Sequence, residues 1–80
     1  MSLRILRLPD VKAESGLSRS TLYLRIAQGF WTKPISLGGR AVGWPDCEVK
    51  AINAARIAGK SDQEIRDLVA GLEAARSAAA

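Results

Sequence analysis

The amino-acid sequence predicts a mostly α-helical fold with one small β-hairpin, and three observations lead to this prediction. Residues that start and end helices divide the first 29 residues into two short helices joined by a glycine-containing turn. A Gly38-Gly39 pair separates two short apolar segments, as in a two-residue hairpin turn. A capping-box sequence at residues 61–64 begins a last amphipathic helix. Two helices, a turn between them and a hairpin make a winged helix-turn-helix, here with an additional C-terminal helix.

The N-terminal segment is predicted to lead directly into the first helix. Residues 3–8 form a short strand or an extended arm, since their apolar residues alternate imperfectly. Pro9 suits the first turn of a helix, where its missing N–H has no intrahelical partner to lose. This helix ends at about Ser15, and Val11 is its predicted core contact. So short a helix depends on tertiary packing.

The second helix follows a tight turn. Gly16 can adopt the left-handed conformation that ends a helix, and Ser18 lies where an N-cap residue belongs. Leu22 and Ile26 share one face of the new helix, and Gly29 ends it. In helix-turn-helix proteins this second helix enters the major groove of DNA.

Polar residues crowd the first turn of this second helix, which is the end that reaches base edges in helix-turn-helix proteins. Arginine can pair bidentately with guanine, and serine or threonine can bond to bases or to phosphate. The same cluster also suits an ordinary solvent-exposed helix start, so this segment by itself leaves both interpretations open. The predicted DNA-binding residues of this helix are Ser18, Arg19, Ser20, Thr21, Tyr23 and Arg25.

The segment after the second helix predicts the hairpin. Ile35 and Leu37 alternate with a serine, as in a half-buried strand, and residues 40–44 return as the partner strand. A hairpin directly after a recognition helix is a wing, and Lys33 and Arg40 are then placed to contact phosphate. The alternative is a hairpin whose turn is simply solvated.

The two tryptophans and the single cysteine have structural interpretations. Trp31 and Trp44 are predicted to lie in the core or at the root of the wing, because two such rings supply much of the burial of a small domain. A protein that binds single strands more often shows several exposed aromatic rings on a sheet. Cys47 is predicted to be a small buried or half-buried side chain without a redox role.

Two more helices are predicted in the second half of the chain. Pro45 opens a third helix, and Gly59 ends it. Ser61 and Glu64 then form the capping box of the last helix. The apolar stripe of this helix could pack back onto the domain or join two chains as a homodimer, and its residues are Ile65, Leu68, Val69 and Leu72.

The charge of the chain is uneven. The formal net charge is +4, with +5 on residues 1–59 and −1 on residues 60–80. A basic excess suits a polyanionic partner. The predicted organisation is therefore a DNA-binding domain over residues 1–59, followed over residues 60–80 by an amphipathic helix that packs on the domain or mediates dimerisation.

The composition argues against several classes of function. With one cysteine and no histidine, the chain can form no internal disulfide, no zinc site and no Ser-His or Cys-His pair for catalysis. No apolar run approaches the length of a membrane span, and the N-terminus lacks the apolar core of a signal peptide. We therefore expect a cytoplasmic protein without catalytic residues, cofactor, metal, small-molecule substrate or membrane partner.

Several segments together resemble one family. The chain is similar to the AlpA-type phage and prophage regulators over roughly residues 4–58, and the order and spacing of the shared segments are specific. The resemblance implies a MerR-like winged helix-turn-helix that binds double-stranded DNA and regulates genes of a prophage or integrative element, including those for excision. Excisionases of similar fold are the nearest relatives in function. The segments are residues 8–11 (LPDV), 16–23 (GLSRSTLY), 33–34 (KP), 39–44 (GRAVGW) and 48–49 (EV).

The chain departs from the pattern of this family at two places. The family usually has a basic residue directly after the tyrosine, whereas Leu24 follows Tyr23 here and the arginine comes one position later, at Arg25. One position is about 100° around a helix, so the charge is displaced. The family also often ends soon after the third helix, so the helix that starts at Ser61 is an addition.

Two classes of function follow from these observations. The first is a sequence-specific, double-stranded DNA-binding transcriptional regulator or, within the same class, an excisionase-like recombination directionality factor. These two cannot be distinguished here, because both need only a groove-binding helix and a wing. The second is a protein–protein interaction module that uses the last helix. The uneven charge favours DNA.

Overall fold

The computed structural model describes residues 4–78, so Leu3, with which the predicted N-terminal strand begins, lies outside the described residues. The molecule is mostly helical with a small antiparallel sheet, as predicted. The elements in chain order are β1 (Ile5–Leu6), α1 (Leu8–Ser15), α2 (Arg19–Gln28), β2 (Ile35–Ser36), β3 (Val42–Pro45), α3 (Asp46–Ile57) and α4 (Asp62–Ala78).

The sheet has three strands in the order β1-β3-β2, all antiparallel to their neighbours. The N-terminal segment therefore forms a short strand rather than a free arm, and Leu6 pairs with Trp44. Gly43 lies at the centre, where an added Cβ would be 2.5 Å from Ile5 Cγ2 and 3.0 Å from the backbone oxygen of Leu6. Only glycine allows the strands to approach so closely.

The hairpin turn is longer than the predicted two-residue turn. Gly38 and Gly39 both have positive φ, 101° and 55°, and the N–H of Ala41 donates to the oxygen of Gly38 at 3.0 Å. This bond includes Arg40 in the turn, so β3 begins at Val42 and the prediction that the partner strand starts at residue 40 was wrong.

Local capping groups define the helix ends much as predicted. Gly16 follows α1 with φ 72°, and Gly29 follows α2 with φ 83°. At the start of α4 the N–H of Glu64 donates to Ser61 Oγ at 3.2 Å, and the N–H of Ser61 donates to Glu64 Oε1 at 3.1 Å, which confirms the capping box. Hydrogen bonding to the carboxylate from Ser61, first from its backbone N–H and then from its side chain, lowers the pKa of the Glu64 carboxyl below its ordinary value of 4.5.

One apolar core joins the helices to the sheet. Both tryptophans lie in it, as predicted, and the indole N–H of Trp44 donates to the oxygen of Thr32 at 2.9 Å. The indole therefore holds the chain just before the wing against β3. The core residues are Leu6, Val11, Leu22, Trp31, Trp44, Val49, Ile52, Ile65 and Val69.

Cys47 is exposed, so the prediction that its side chain is buried or half-buried was wrong. Its two neighbours in the first turn of α3, Asp46 and Glu48, are buried instead. Asp46 forms an ion pair with Lys50 at 3.0 Å, and Glu48 forms one with Arg76. Because these paired carboxylates take the inward positions of the turn, the cysteine is left facing water.

The apolar stripe of α4 packs within the chain. Ile65 and Val69 are buried in the shared core, and Leu68 and Leu72 are half-buried against it. A homodimer formed through Ile65 and Val69 would have to unpack this core. None of the helices within residues 4–78 is both long and apolar enough to cross a membrane.

Candidate nucleic-acid interface

The helix-turn-helix consists of α1, the turn at residues 16–18 and α2. Val11 on α1 and Leu22 on α2 are completely buried, and Ile26 packs against the same core. These contacts fix the rotation of α2, because a helix that buries this face must turn Ser20 and Leu24, about 160–200° away around the helix, toward solvent. Leu24 is accordingly 56% exposed.

The first turn of α2 is held by its own side chains. The N–H of Thr21 donates to Ser18 Oγ at 3.3 Å, and the Ser18 hydroxyl donates to Thr21 Oγ1 at 3.0 Å. The first intrahelical bond is made by the N–H of Leu22 to the oxygen of Ser18. The N–H groups of Arg19 and Ser20 precede that bond and remain available to an anion at the positive end of the helix.

Arg19 is held in place by aromatic contacts. Its guanidinium carbon lies 5.6 Å from the centroid of the Tyr23 ring. Tyr23 in turn packs edge-to-face against Trp44, with ring centroids 6.4 Å apart and an interplanar angle of 71°. The tyrosine therefore connects a buried core residue to an exposed arginine, and this contact limits the positions that the arginine can adopt.

Arg25 lies apart from these residues. It is half-buried and lines an open cavity between α1, α2 and α3 with Phe30, Asn53 and Arg56. The shift of the arginine by one position thus carries its charge to the flank of α2, and Leu24 takes the outward-facing position. Sequence reasoning included Arg25 among the groove residues, and its placement suits a contact from the side of the helix better.

The root of the wing is bound to α4. The backbone N–H of Lys33 donates to Glu73 Oε2 at 2.8 Å, and the backbone oxygen of Lys33 accepts from Arg76 Nη2 at 2.7 Å. Side chains of α4 therefore bind both the backbone N–H and the backbone oxygen of Lys33. The side chain of Lys33 remains exposed.

Arg76 also bonds twice to Glu48 at the start of α3. Its Nε donates to Glu48 Oε2 at 2.8 Å and its Nη2 to Oε1 at 2.6 Å, and the Glu48 side chain is only 4% exposed. The bonds to Glu48 raise the pKa of Arg76 above its ordinary value. We call Lys33, Glu48, Glu73 and Arg76 the wing clamp. Sequence reasoning missed it, because the residues that bond to one another in it are 28, 40 and 43 positions apart.

Two cations lie further along the wing. Arg40 is exposed in the turn between β2 and β3. Arg7, which sequence reasoning also missed, donates from Nε to the oxygen of Val42 on β3 at 3.0 Å. No local signal could have found Arg7, because the pairing of β1 with β3 that places it there joins distant parts of the chain.

The basic residues of this surface have no acidic partners within residues 4–78. The salt bridges found there join Lys50 to Asp46, Arg56 to Asp62, Lys60 to Glu64 and Arg76 to Glu48. The cations of α2 and the wing are absent from these pairs, so their charge is not neutralised by the protein. Their side chains are those of Arg7, Arg19, Arg25, Lys33 and Arg40.

Comparison with known proteins shows which family this arrangement resembles. Residues 4–56 match the family model described as the prophage CP4-57 regulatory protein (AlpA). The match covers α1, α2, the wing and all but the last residue of α3, and it stops before α4.

A phage protein is also similar to the chain. The ORF88 protein of Enterobacteria phage P4 is 49% identical over 57 residues, which is 71% of this chain and 65% of the phage protein. The chain therefore spans just under two thirds of the length of this relative. No solved structure matches the chain significantly.

Proposed function

Because the chain belongs to the AlpA family of prophage regulatory proteins, we propose that it is a sequence-specific transcriptional regulator that binds double-stranded DNA. It regulates genes of a prophage or integrative element by occupying an operator in the cytoplasm, without catalysis or a cofactor. Its fold is of the MerR-like winged helix-turn-helix type. The DNA-binding unit is the segment of residues 1–59, and the amphipathic helix within residues 60–80 packs on this unit.

The observation that carries this proposal is the capped N-terminus of α2. An exposed arginine, Arg19, is held over the Tyr23 ring at 5.6 Å and has no acidic partner within residues 4–78. Beside it, two backbone N–H groups precede the first helical bond. A preorganised guanidinium suits bidentate pairing with guanine, and free N–H groups at a helix start suit phosphate.

The predicted site residues take different roles in this proposal. Arg19, Ser20 and Thr21 contact base edges or the nearest phosphates, whereas Ser18 shapes the helix end that presents them. Tyr23 positions Arg19. The remaining cations contact the phosphate backbone, and these are Arg25 from the flank of α2 and Lys33 and Arg40 from the wing.

A selection experiment tests the proposal. The whole chain is incubated with a random duplex library, bound DNA is sequenced after several rounds, and the enriched duplex is measured by gel shift against competitor DNA at several salt concentrations. We expect one enriched motif that resists competition by random DNA, with binding that weakens as salt rises. Equal binding to all duplexes, or none, would contradict the proposal and favour the protein–protein interaction module.

An excisionase-like recombination directionality factor is the alternative within the same class, and it would use the same surface. It differs in that its function is to bend the DNA and set the direction of recombination. Circular-permutation gel shifts on the selected duplex separate the two. Mobility that depends strongly on the position of the site would favour the excisionase, and uniform mobility favours a regulator that acts by occupancy.

A further inference from the structure

Leu24 is a large apolar side chain that the fold leaves in water. It is 56% exposed, whereas Leu22 on the same helix is fully buried. Two positions correspond to about 200° around an α-helix, so Leu24 lies nearly opposite the buried face. It belongs neither to the core nor to the half-buried side chains packed against the core within residues 4–78. The fold therefore gives this leucine no packing role.

The surroundings of Leu24 on the helix surface are small or polar. The neighbours one turn away are Ser20, Thr21, Ala27 and Gln28; Thr21 is half-buried and the other three are exposed. A face that docks against a protein usually presents a contiguous apolar patch. A single leucine among small or polar side chains instead projects from the helix surface, so a groove can approach it closely.

We propose that Leu24 contacts the C5-methyl group of a thymine and thereby specifies an A·T base pair in the operator. The proposal rests on the function proposed above. A leucine side chain has no hydrogen-bond donor or acceptor, so it can bind neither phosphate nor the polar edge of a base. The thymine methyl is the one apolar group that base pairs present in the major groove. Leu24 lies one turn beyond Ser20, so it contacts bases beyond those that the first turn of α2 reaches.

Deoxyuridine provides the test, because it pairs as thymine does and lacks only the methyl group. In the duplex selected by the whole chain, each thymine is replaced singly by deoxyuridine and binding is measured at one fixed salt concentration. We expect one position in the selected duplex at which the replacement weakens binding about fourfold, the factor expected for burying one methyl group. Replacements at the other thymines should leave binding nearly unchanged.

Two variants assign the effect to its residue. L24A should bind the thymine and deoxyuridine duplexes equally, because the alanine side chain is too short to reach the methyl group that leucine contacts. I57A is the matched control, since Ile57 on α3 is 87% exposed and lies outside the proposed interface; it should keep the full discrimination. Both side chains are largely in water, so both variants should melt near the wild-type temperature.

The outcomes distinguish this inference from the proposed function. A selected duplex without any methyl-sensitive position, or equal sensitivity in wild type and L24A, overturns the role of Leu24 and leaves sequence-specific binding in place. Failure to select any sequence overturns both. If L24A instead dissociates a wild-type dimer in light scattering and keeps the discrimination, Leu24 contacts a second copy of the chain and the inference is wrong.

Discussion

At the scale of single residues, Tyr23 links the stability of the protein to its proposed binding surface. Its ring packs against Trp44 in the core on one side and beneath the guanidinium of Arg19 on the other. An arginine on a solvated helix start normally samples many conformations, and restricting them costs entropy on binding. The Tyr23 ring already restricts the guanidinium in the free protein, so the arginine loses less conformational entropy on binding.

If the Arg19 guanidinium pairs with a base, R19A should weaken binding to the selected duplex by about 1–3 kcal/mol while sparing random DNA. Gel-shift titrations on both duplexes measure this. K60A removes one exposed positive charge away from α2 and serves as the matched control. An equal loss of affinity on both duplexes would show that Arg19 contacts only the backbone.

The lowered pKa of Glu64 makes the free energy of unfolding depend on pH. Its folded pKa is lowered by the bonds from Ser61, so its contribution to stability is present above its ordinary pKa of 4.5 and is lost as the pH falls through the lowered value. Melting temperatures of wild type and E64Q should differ at neutral pH and converge in acid. A constant difference at every pH would contradict the role of the carboxylate.

At the scale of elements, the wing clamp joins α4 to the root of the wing and to α3. The helix holds both backbone polar groups of Lys33, the residue that begins the path into the wing. The same arginine also neutralises Glu48, which is almost completely buried at the start of α3. A single side chain near the C-terminus thus sets the position of the wing relative to α3.

R76A leaves the Glu48 carboxylate buried without a partner, so we expect a loss of about 3 kcal/mol in the free energy of unfolding. E48Q should cost less, because it leaves no buried charge and Arg76 can still donate to the oxygen of Lys33. K60A breaks an exposed ion pair with Glu64 and should cost less than about 1 kcal/mol. Urea unfolding of the three variants measures this order, and R76A no more costly than K60A would contradict it.

How far the sequence predicts this structure depends on the distance between interacting residues. Ser18, Gly29 and the Ser61–Glu64 pair act within one helical turn, so their caps were predictable from neighbours alone. Leu24, in contrast, was noticed only as a departure from a family pattern, because its exposure depends on which face α2 buries. The bonds between Arg76 and Glu48 join residues 28 positions apart, and no spacing rule connects them.

At the scale of the whole molecule, α4 completes the core although this helix lies outside the family match. The match ends at residue 56, yet Ile65 and Val69 are as deeply buried as residues of α2 and α3. A domain of this size has few apolar residues to spare, so losing two of them from the core would leave little stability. The additional helix therefore belongs to the same core as α2 and α3.

The packing of α4 on the core also predicts how substitutions at its half-buried residues change the stability of the protein. Leu68 and Leu72 lie against the core, so the double variant L68D/L72D should lower the free energy of unfolding by about 1–3 kcal/mol. If the stripe packs within one chain, the melting temperature falls by the same amount at every protein concentration, because no association is lost. If the two leucines instead joined a second chain, the wild-type melting temperature would rise with concentration and the variant would be a folded monomer. Thermal melts over a hundredfold range of concentration, with light scattering on the same samples, separate the two. We expect a concentration-independent melt for the wild type, and a rise with concentration would assign Leu68 and Leu72 to a dimer contact.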